Sequence, residues 1–198
     1  MSTNPTSAIA SSFLNDLKTR TADSHKKLEE LPVSKSIMSP DMKIEEYAKY
    51  LNLMHDVHQD TEETIFPLFA NLTDDLEQRR KKQLIEADLS FLNYELTPSE
   101  KVFKIEEISV PFALGILYVV EGSTLGGRFI LKNVSKVPQL SGDKGVSYFN
   151  GYGEKTGSFW KSFLNFLSEY EQENNCGDSI IEGAVFAFDS IYNHFESK

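Results

Sequence analysis

His25 lies on a stripe of apolar positions where solvent-facing chemistry would not place an imidazole. At about 100° of rotation per residue, Leu14, Leu17, Thr21, His25 and Leu28 fall within roughly 80° of one another on one helix face. An imidazole in that setting is either a hydrogen-bonded core residue or a metal ligand. Glu29, one turn later, is placed to orient the ring or a water behind it. His55 and His58 form His-x-x-His, with Glu62 four residues on, a spacing that can gather three metal-binding groups on one helix surface. A carboxylate-bridged di-iron site needs Glu-x-x-His pairs on two helices, and none of the four histidines has Glu three residues before it. Packing by His58 and exposure of His55 are therefore expected, with His194 solvated near the carboxyl end. Cys176 is the single cysteine, so neither an internal disulfide nor a thiolate cluster can form.

The second unusual stretch is Phe112 to Leu131, FALGILYVVEGSTLGGRFIL, a strongly helical context interrupted by Gly115, Gly122, Gly126 and Gly127. Each glycine costs about 1 kcal/mol relative to alanine inside a helix, so its retention implies a compensating gain. Gly115, Gly122 and Gly126 lie within roughly 40° of one another on a helical wheel, which strips one face to bare backbone. Such a face admits either a neighbouring helix or a flat ligand lying on the backbone. The adjacent Gly126-Gly127 pair also permits a bend, and a bent, backbone-lined wall suits a large planar cofactor.

The elements that must position these groups read as helices, because spacings of three and four recur and no convincing period-2 alternation is present. The first helix ends at Pro32. Ser39-Pro40 is predicted to open a second, amphipathic helix with the stripe Ile44, Tyr47, Leu51, Met54, His58 and Ile65. A third is predicted to start near Thr73 and to bury Leu76, Leu84, Ala87 and Phe91, leaving Arg79-Arg80-Lys81-Lys82 on a solvated face. Thr97 to Glu100 has the spacing of a capping box and predicts a short helical piece. Residues 137–157 lack periodicity and contain five glycines, the mark of a functional or mobile loop. Phe159, Phe163, Phe166 and Tyr170 predict one further helix; Ile181, Val185, Phe188, Tyr192 and Phe195, opened by Ser179-x-x-Glu182, predict the last. The expectation is an all-α single domain of about six to eight helices over residues 9–198, preceded by a flexible lead-in, 1–8.

Composition narrows the function. With 20 Lys+Arg against 30 Asp+Glu the formal charge is −10, which disfavours nucleic acid and anionic membrane as partners. The longest apolar run, Val110 to Val120, is about half the length of a membrane span, and the first residues lack the features of a secretory signal. A soluble, cytoplasmic protein is expected. An anionic ligand would need a local basic island.

Leu17 to Glu29, LKTRTADSHKKLE, resembles the proximal helix of the heme oxygenases, and Tyr118 to Arg128, YVVEGSTLGGR, resembles their glycine-rich distal helix as seen in bacterial members, including those that supply bacteriophytochromes. The resemblance covers most of the chain in the expected order and implies a multi-helical bundle with His25 as heme-iron ligand. It further implies that Gly122 and Gly126, with Gly127, cover the opposite heme face with bare backbone. Lys18 matches a propionate-binding position; Arg128 and Lys161 are further candidates from charge. The implied reaction opens the heme ring with O2 and electrons from ferredoxin or a flavoprotein reductase, giving biliverdin, carbon monoxide and ferrous iron, which a bilin-using phytochrome pathway could consume. Ser123 stands where better-known animal members have an aspartate that organises distal water, so the hydrogen bonding beside Gly122 must be arranged differently. With three residues after Phe195, a soluble form without the carboxy-terminal membrane anchor of animal members is expected. The alternatives are a non-catalytic heme-binding or storage protein and a TenA-like thiaminase. The latter needs a cysteine nucleophile, whereas Cys176 lies in a turn-rich linker.

Overall fold

The three-and-four spacing folds as it reads: every regular element among the described residues is helical. The computed structural model describes residues 5–140 and 144–198, excluding the side chains of residues 5–11. In chain order the helices are α1 (Pro5–Glu30), α2 (Pro32–Met38), α3 (Ile44–Asp60), α4 (Leu76–Arg79), α5 (Lys82–Phe91), α6 (Val110–Val134), α7 (Ser147–Asn150), α8 (Thr156–Asn174) and α9 (Gly177–Glu196). The first turn of α1 falls within the stretch read as a lead-in; residues 1–4 lie outside the described residues.

The architecture centres on α6 and α9, whose backbones touch. A Cβ at Gly115 would fall 2.0 Å from the Ile180 carbonyl oxygen, and one at Gly183 would fall 2.0 Å from that of Phe112. Gly115 is thus a packing glycine, separated in role from Gly122 and Gly126 although all three share a face. The first half of α6 is enclosed accordingly, with Ala113, Leu114, Ile116 and Leu117 buried. Gly115→Ala is expected to lower stability by about 3 kcal/mol, because the clash is with backbone that cannot rotate away. At Gly126 an added Cβ meets nothing within 4 Å, so Gly126→Ala is expected to raise stability by up to about 1 kcal/mol through helix propensity. Urea unfolding of the ligand-free variants reads both.

By length and composition α6 could cross a membrane, although half of its most apolar window is buried within the molecule. The apolar run stopping at Val120 understated it, since Leu125, Phe129, Ile130 and Leu131 continue the helix.

Helix α3 is central rather than amphipathic, with every residue from Leu51 to His58 buried. It starts at Ile44, later than Ser39-Pro40 suggested. Glu46 accepts a hydrogen bond from the Lys43 N–H at 2.8 Å there, while Ser39 ends α2. A π turn at Thr61–Ile65 and a 3-10 turn at Phe66–Phe69 carry the chain onward.

The predicted third helix is broken into α4 and α5 by Arg80, whose ψ of 135° is extended. The buried stripe moves with the break to Ile85, Asp88 and Leu89, leaving Ala87 and Phe91 exposed. The same break keeps the four cations off a common face: Arg79 and Lys81 are buried.

The capping box at Thr97 opens no helix, because the Thr97 N–H is taken by Asn52 Oδ1 at 3.1 Å. Residues 94–109 instead form an irregular strap. Asp60 Oδ2 pins it to α3 by accepting from the Val102 and Phe103 amides at 3.0 and 2.7 Å. The last helix likewise begins at Gly177, ahead of the predicted Ser179 cap. Residues 137–157 contain α7 and two short 3-10 turns, and Tyr148 and Phe149 are buried beneath α6.

Candidate functional site

Both α1 and α6 pack against α9 and α8. On α1, Arg20 donates to Asp178 at 2.6 Å and Ser24 to Asp189 at 3.3 Å, tying the helix to α9. Leu17 and Thr21 are buried at that contact. One turn further the burial ends, and the His25 side chain is 55% exposed. Its ring meets Phe188 edge-on at 5.4 Å, while Nε2 lies 3.7 Å from Glu29 Oε1. The apolar stripe predicts a covered imidazole, but α9 meets only its edge, through Phe188, and leaves the side chain exposed. An exposed imidazole with only a long contact to a carboxylate has a ring nitrogen free to ligate. Lys18 and Glu29 are exposed on the same helix.

Helix α6 changes character at Gly122. Beyond it Ser123, Leu125, Gly126, Arg128 and Phe129 are exposed, and Phe129 is 73% exposed. Leu125 and Phe129 thus leave apolar side chains exposed beside the bare backbone of Gly126. Gly122 looks toward Trp160, at 3.5 Å from its would-be Cβ, and Gly126 is open. Gly127 turns the other way, 3.3 Å from the Phe149 ring at the would-be Cβ, and is buried. The helix is continuous through the glycine pair. Lys161, next to Trp160 on α8, is exposed.

Beneath this face lies a buried ionic cluster that the sequence reading missed. Arg79 donates to Glu121 at 2.6 Å and to Asp75 at 2.6 Å, and the Tyr152 hydroxyl donates to Glu121 at 3.0 Å. The Lys81 Nζ sits 3.2 Å from the centre of the Tyr152 ring. Burial pushes the Glu121 carboxyl up against the opposing pull of Arg79 and Lys81, and burial draws Lys81 down to about 8. The signal available in the sequence was Glu121 itself, an acid inside Val-Val-Glu-Gly that can be buried only with a countercharge.

The remaining histidines do not assemble with Glu62. His55 is buried, contrary to expectation, with Nε2 3.2 Å from Glu86; His58 Nε2 meets the Tyr148 hydroxyl at 3.1 Å. Glu62 accepts from the Lys81 and Lys82 amides at 2.7 and 2.8 Å, capping α5. Among the described residues no group of three or more His, Cys, Asp and Glu could hold a metal ion. His194, expected to be solvated, is buried with Nε2 3.1 Å from Asp56 Oδ2, a close contact without hydrogen-bond alignment. Cys176 is half-buried, and burial pushes its thiol up, the reverse of an activated nucleophile.

Burial opposes ionisation of Asp56, but His194 and His55 outweigh it and hold the carboxyl at about 2. A depressed acid stabilises the fold above its unfolded pKa and loses that contribution as pH falls through the folded one. Stability is therefore expected to fall between about pH 4 and pH 2. In Asp56→Asn that slope should be shallower, as read by urea midpoints across the range.

The heme oxygenase family model matches residues 11–197. The chain is 27% identical over 173 residues to heme oxygenase PigA of Pseudomonas aeruginosa, an alignment covering 85% of this chain and 83% of the relative. Among solved structures, heme oxygenase from Leptospira interrogans superposes with a TM-score of 0.79 at 19% identity, covering 94% of this chain and 99% of the other. The Neisseria meningitidis enzyme superposes at 0.72 with 24% identity over 93% and 92% of the two chains. The heme complex of heme oxygenase-1 from Synechocystis gives 0.73 and 16% over 93% and 91%. A family match across nearly the whole described chain, joined to an all-helical fold that superposes on these structures, places the chain in the heme oxygenase family.

Proposed function

We propose that residues 9–198 form a soluble, cytoplasmic heme-degrading enzyme that binds heme between α1 and α6. The observation that carries this reading is the exposure of Ser123, Leu125, Gly126, Arg128 and Phe129 on α6 after a buried first half, together with the exposed imidazole of His25 on α1. The residues present fit heme: a free imidazole nitrogen, a glycine position open beyond 4 Å, apolar Leu125 and Phe129, and several exposed cations.

His25 would hold the heme iron through a ring nitrogen, with Glu29 orienting the ring. Gly122 and Gly126 would present bare backbone to the opposite face, while Gly127 leaves space for Phe149 beneath. Lys18, Arg128 and Lys161 would neutralise the propionates. When bound, heme supplies both the iron that activates O2 and the ring that is opened to biliverdin, carbon monoxide and ferrous iron, with electrons from ferredoxin or a flavoprotein reductase. The side chains bind, orient and exclude bulk water, and Ser123 borders the space where O2 must fit. A phytochrome pathway is a chemically suitable consumer of the bilin.

Heme titration followed by single-turnover reduction in air tests the proposal. A Soret band and then a verdin spectrum are expected. Heme that remains intact under good electron supply would leave a storage protein instead, and thiamine degradation dependent on Cys176 would restore the thiaminase reading.

A further inference from the structure

The row Tyr118, Gly122 and Gly126 runs along one face of α6 at intervals of four residues, about 6 Å apart along the axis. Its members meet different surroundings. Tyr118 packs against the ring of Trp160 from α8, with ring centroids 5.6 Å apart. The far end of the same indole, Cη2 and Cζ3, reaches Gly122, at 3.5 and 3.8 Å from a would-be Cβ. At Gly126 the row is open. Those two distances are ordinary van der Waals contacts, so an alanine at position 122 would fit against the indole, and Trp160 does not account for the glycine. What the bare backbone leaves free is the space beside the indole tip, on the side of Gly126.

Resting on the heme-binding reading, we propose that Trp160 is a specificity-determining wall: the edge of the heme ring rests against the indole tip at Gly122, which fixes how the ring is turned in its own plane and hence which ring carbon is opened. A ring that lies on Gly126 and extends toward Gly122 meets this tip one helical turn away. The wall is stiff. Trp160 is half-buried and stacked on Phe163, with centroids 5.8 Å apart and an interplanar angle of 25°. Phe163 is itself buried, with the Arg79 guanidinium 5.7 Å from its ring centre. Arg79 also holds Glu121, the residue before Gly122, so both sides of the contact share one anchor. The exposed Lys18 and Lys161 select less sharply, because long, flexible ammonium side chains can follow a propionate through a change of ring orientation. An indole held between Tyr118 and Phe163 has few alternative rotamers.

The test uses heme-loaded protein and reads ring orientation without turnover, from the heme methyl proton shifts of the ferric cyanide complex. The distribution of biliverdin isomers is the second readout. Trp160→Leu keeps an apolar side chain between Tyr118 and Phe163 but withdraws the tip. It is expected to turn one dominant set of methyl shifts into two comparable sets, and one dominant isomer into a mixture, as the preference between seatings falls about tenfold. Trp160→Phe, whose shorter ring stacks on the same neighbours, should change both readouts in the same direction by less. Phe166→Leu removes a different aromatic ring from α8, one that meets Tyr170 at 6.4 Å, and should lower apoprotein stability while moving neither readout. Unsubstituted methyl shifts and isomer distribution in loaded Trp160→Leu overturn this inference and leave heme binding standing. Failure of the unsubstituted protein to take up heme overturns the proposed function, and this inference falls with it.

Discussion

His25→Ala is expected to abolish the native Soret spectrum of the heme-loaded protein while leaving the ligand-free fold almost untouched. The two halves of this result have different physical origins. The His25 side chain is 55% exposed and shares only a ring edge with Phe188 at 5.4 Å and a 3.7 Å contact with Glu29, so its removal opens no cavity. Exposed substitutions of this kind change stability by about 0.5 kcal/mol or less. The proposed iron-binding nitrogen, by contrast, belongs to the single imidazole of α1, whose other side-chain nitrogens are those of Asn15, Lys18, Arg20, Lys26 and Lys27. Added imidazole should restore a histidine-like spectrum if the exposed surfaces of α1 and α6 border the same pocket. The measurement is a heme titration by absorbance with and without imidazole, alongside urea unfolding of the apoprotein. A His25→Ala protein that binds heme with an unaltered spectrum would assign the ligand elsewhere, and one that loses several kcal/mol would make His25 a core residue.

The contrast between His25 and Gly115 explains how much of the site could be read in advance. Helical period places residues on faces, and it grouped Gly115, Gly122 and Gly126 on one and His25 with Thr21 on another. What covers a face is a long-range fact. Gly115 and Gly126 look alike on a wheel, yet one lies against the backbone of α9 and the other is open. His25 and Thr21 also share a stripe, but only Thr21 is buried. The same limit misplaced His55 and His194, whose burial depends on Glu86 and Asp56 from elsewhere in the chain or across the fold. Local capping signals failed for a related reason. Thr97 to Glu100 has the right residues, but Asn52 on α3 offers the Thr97 amide a competing partner before a helix can form.

Arg79→Ala is expected to cost about 3 to 5 kcal/mol, because it strands a buried carboxylate. Arg79 holds Glu121 and Asp75 at 2.6 Å each, with its guanidinium over the rings of Phe159 and Phe163 at 5.4 and 5.7 Å. Without it, Glu121 keeps only the Tyr152 hydroxyl and the charge of Lys81 against its burial. The carboxyl, already raised by burial, must then rise further. An acid whose folded pKa lies above its unfolded value favours folding when protonated, so the variant should regain stability as pH falls through that raised pKa. That response is opposite in sign to the one expected from Asp56. Replacing both partners, as Arg79→Met with Glu121→Leu, should recover part of the loss, since Glu121 is no longer stranded, while Lys81 loses an opposing charge and Asp75 its Arg79 partner. Because Glu121 immediately precedes Gly122, the pair also anchors α6 where its buried half gives way to its open half. Heme affinity should therefore fall in Arg79→Ala and return at least in part in the double variant. Urea unfolding across pH and heme titration of the three proteins separate these effects. A loss below about 1 kcal/mol in Arg79→Ala would show that the pair contributes no more than a surface salt bridge.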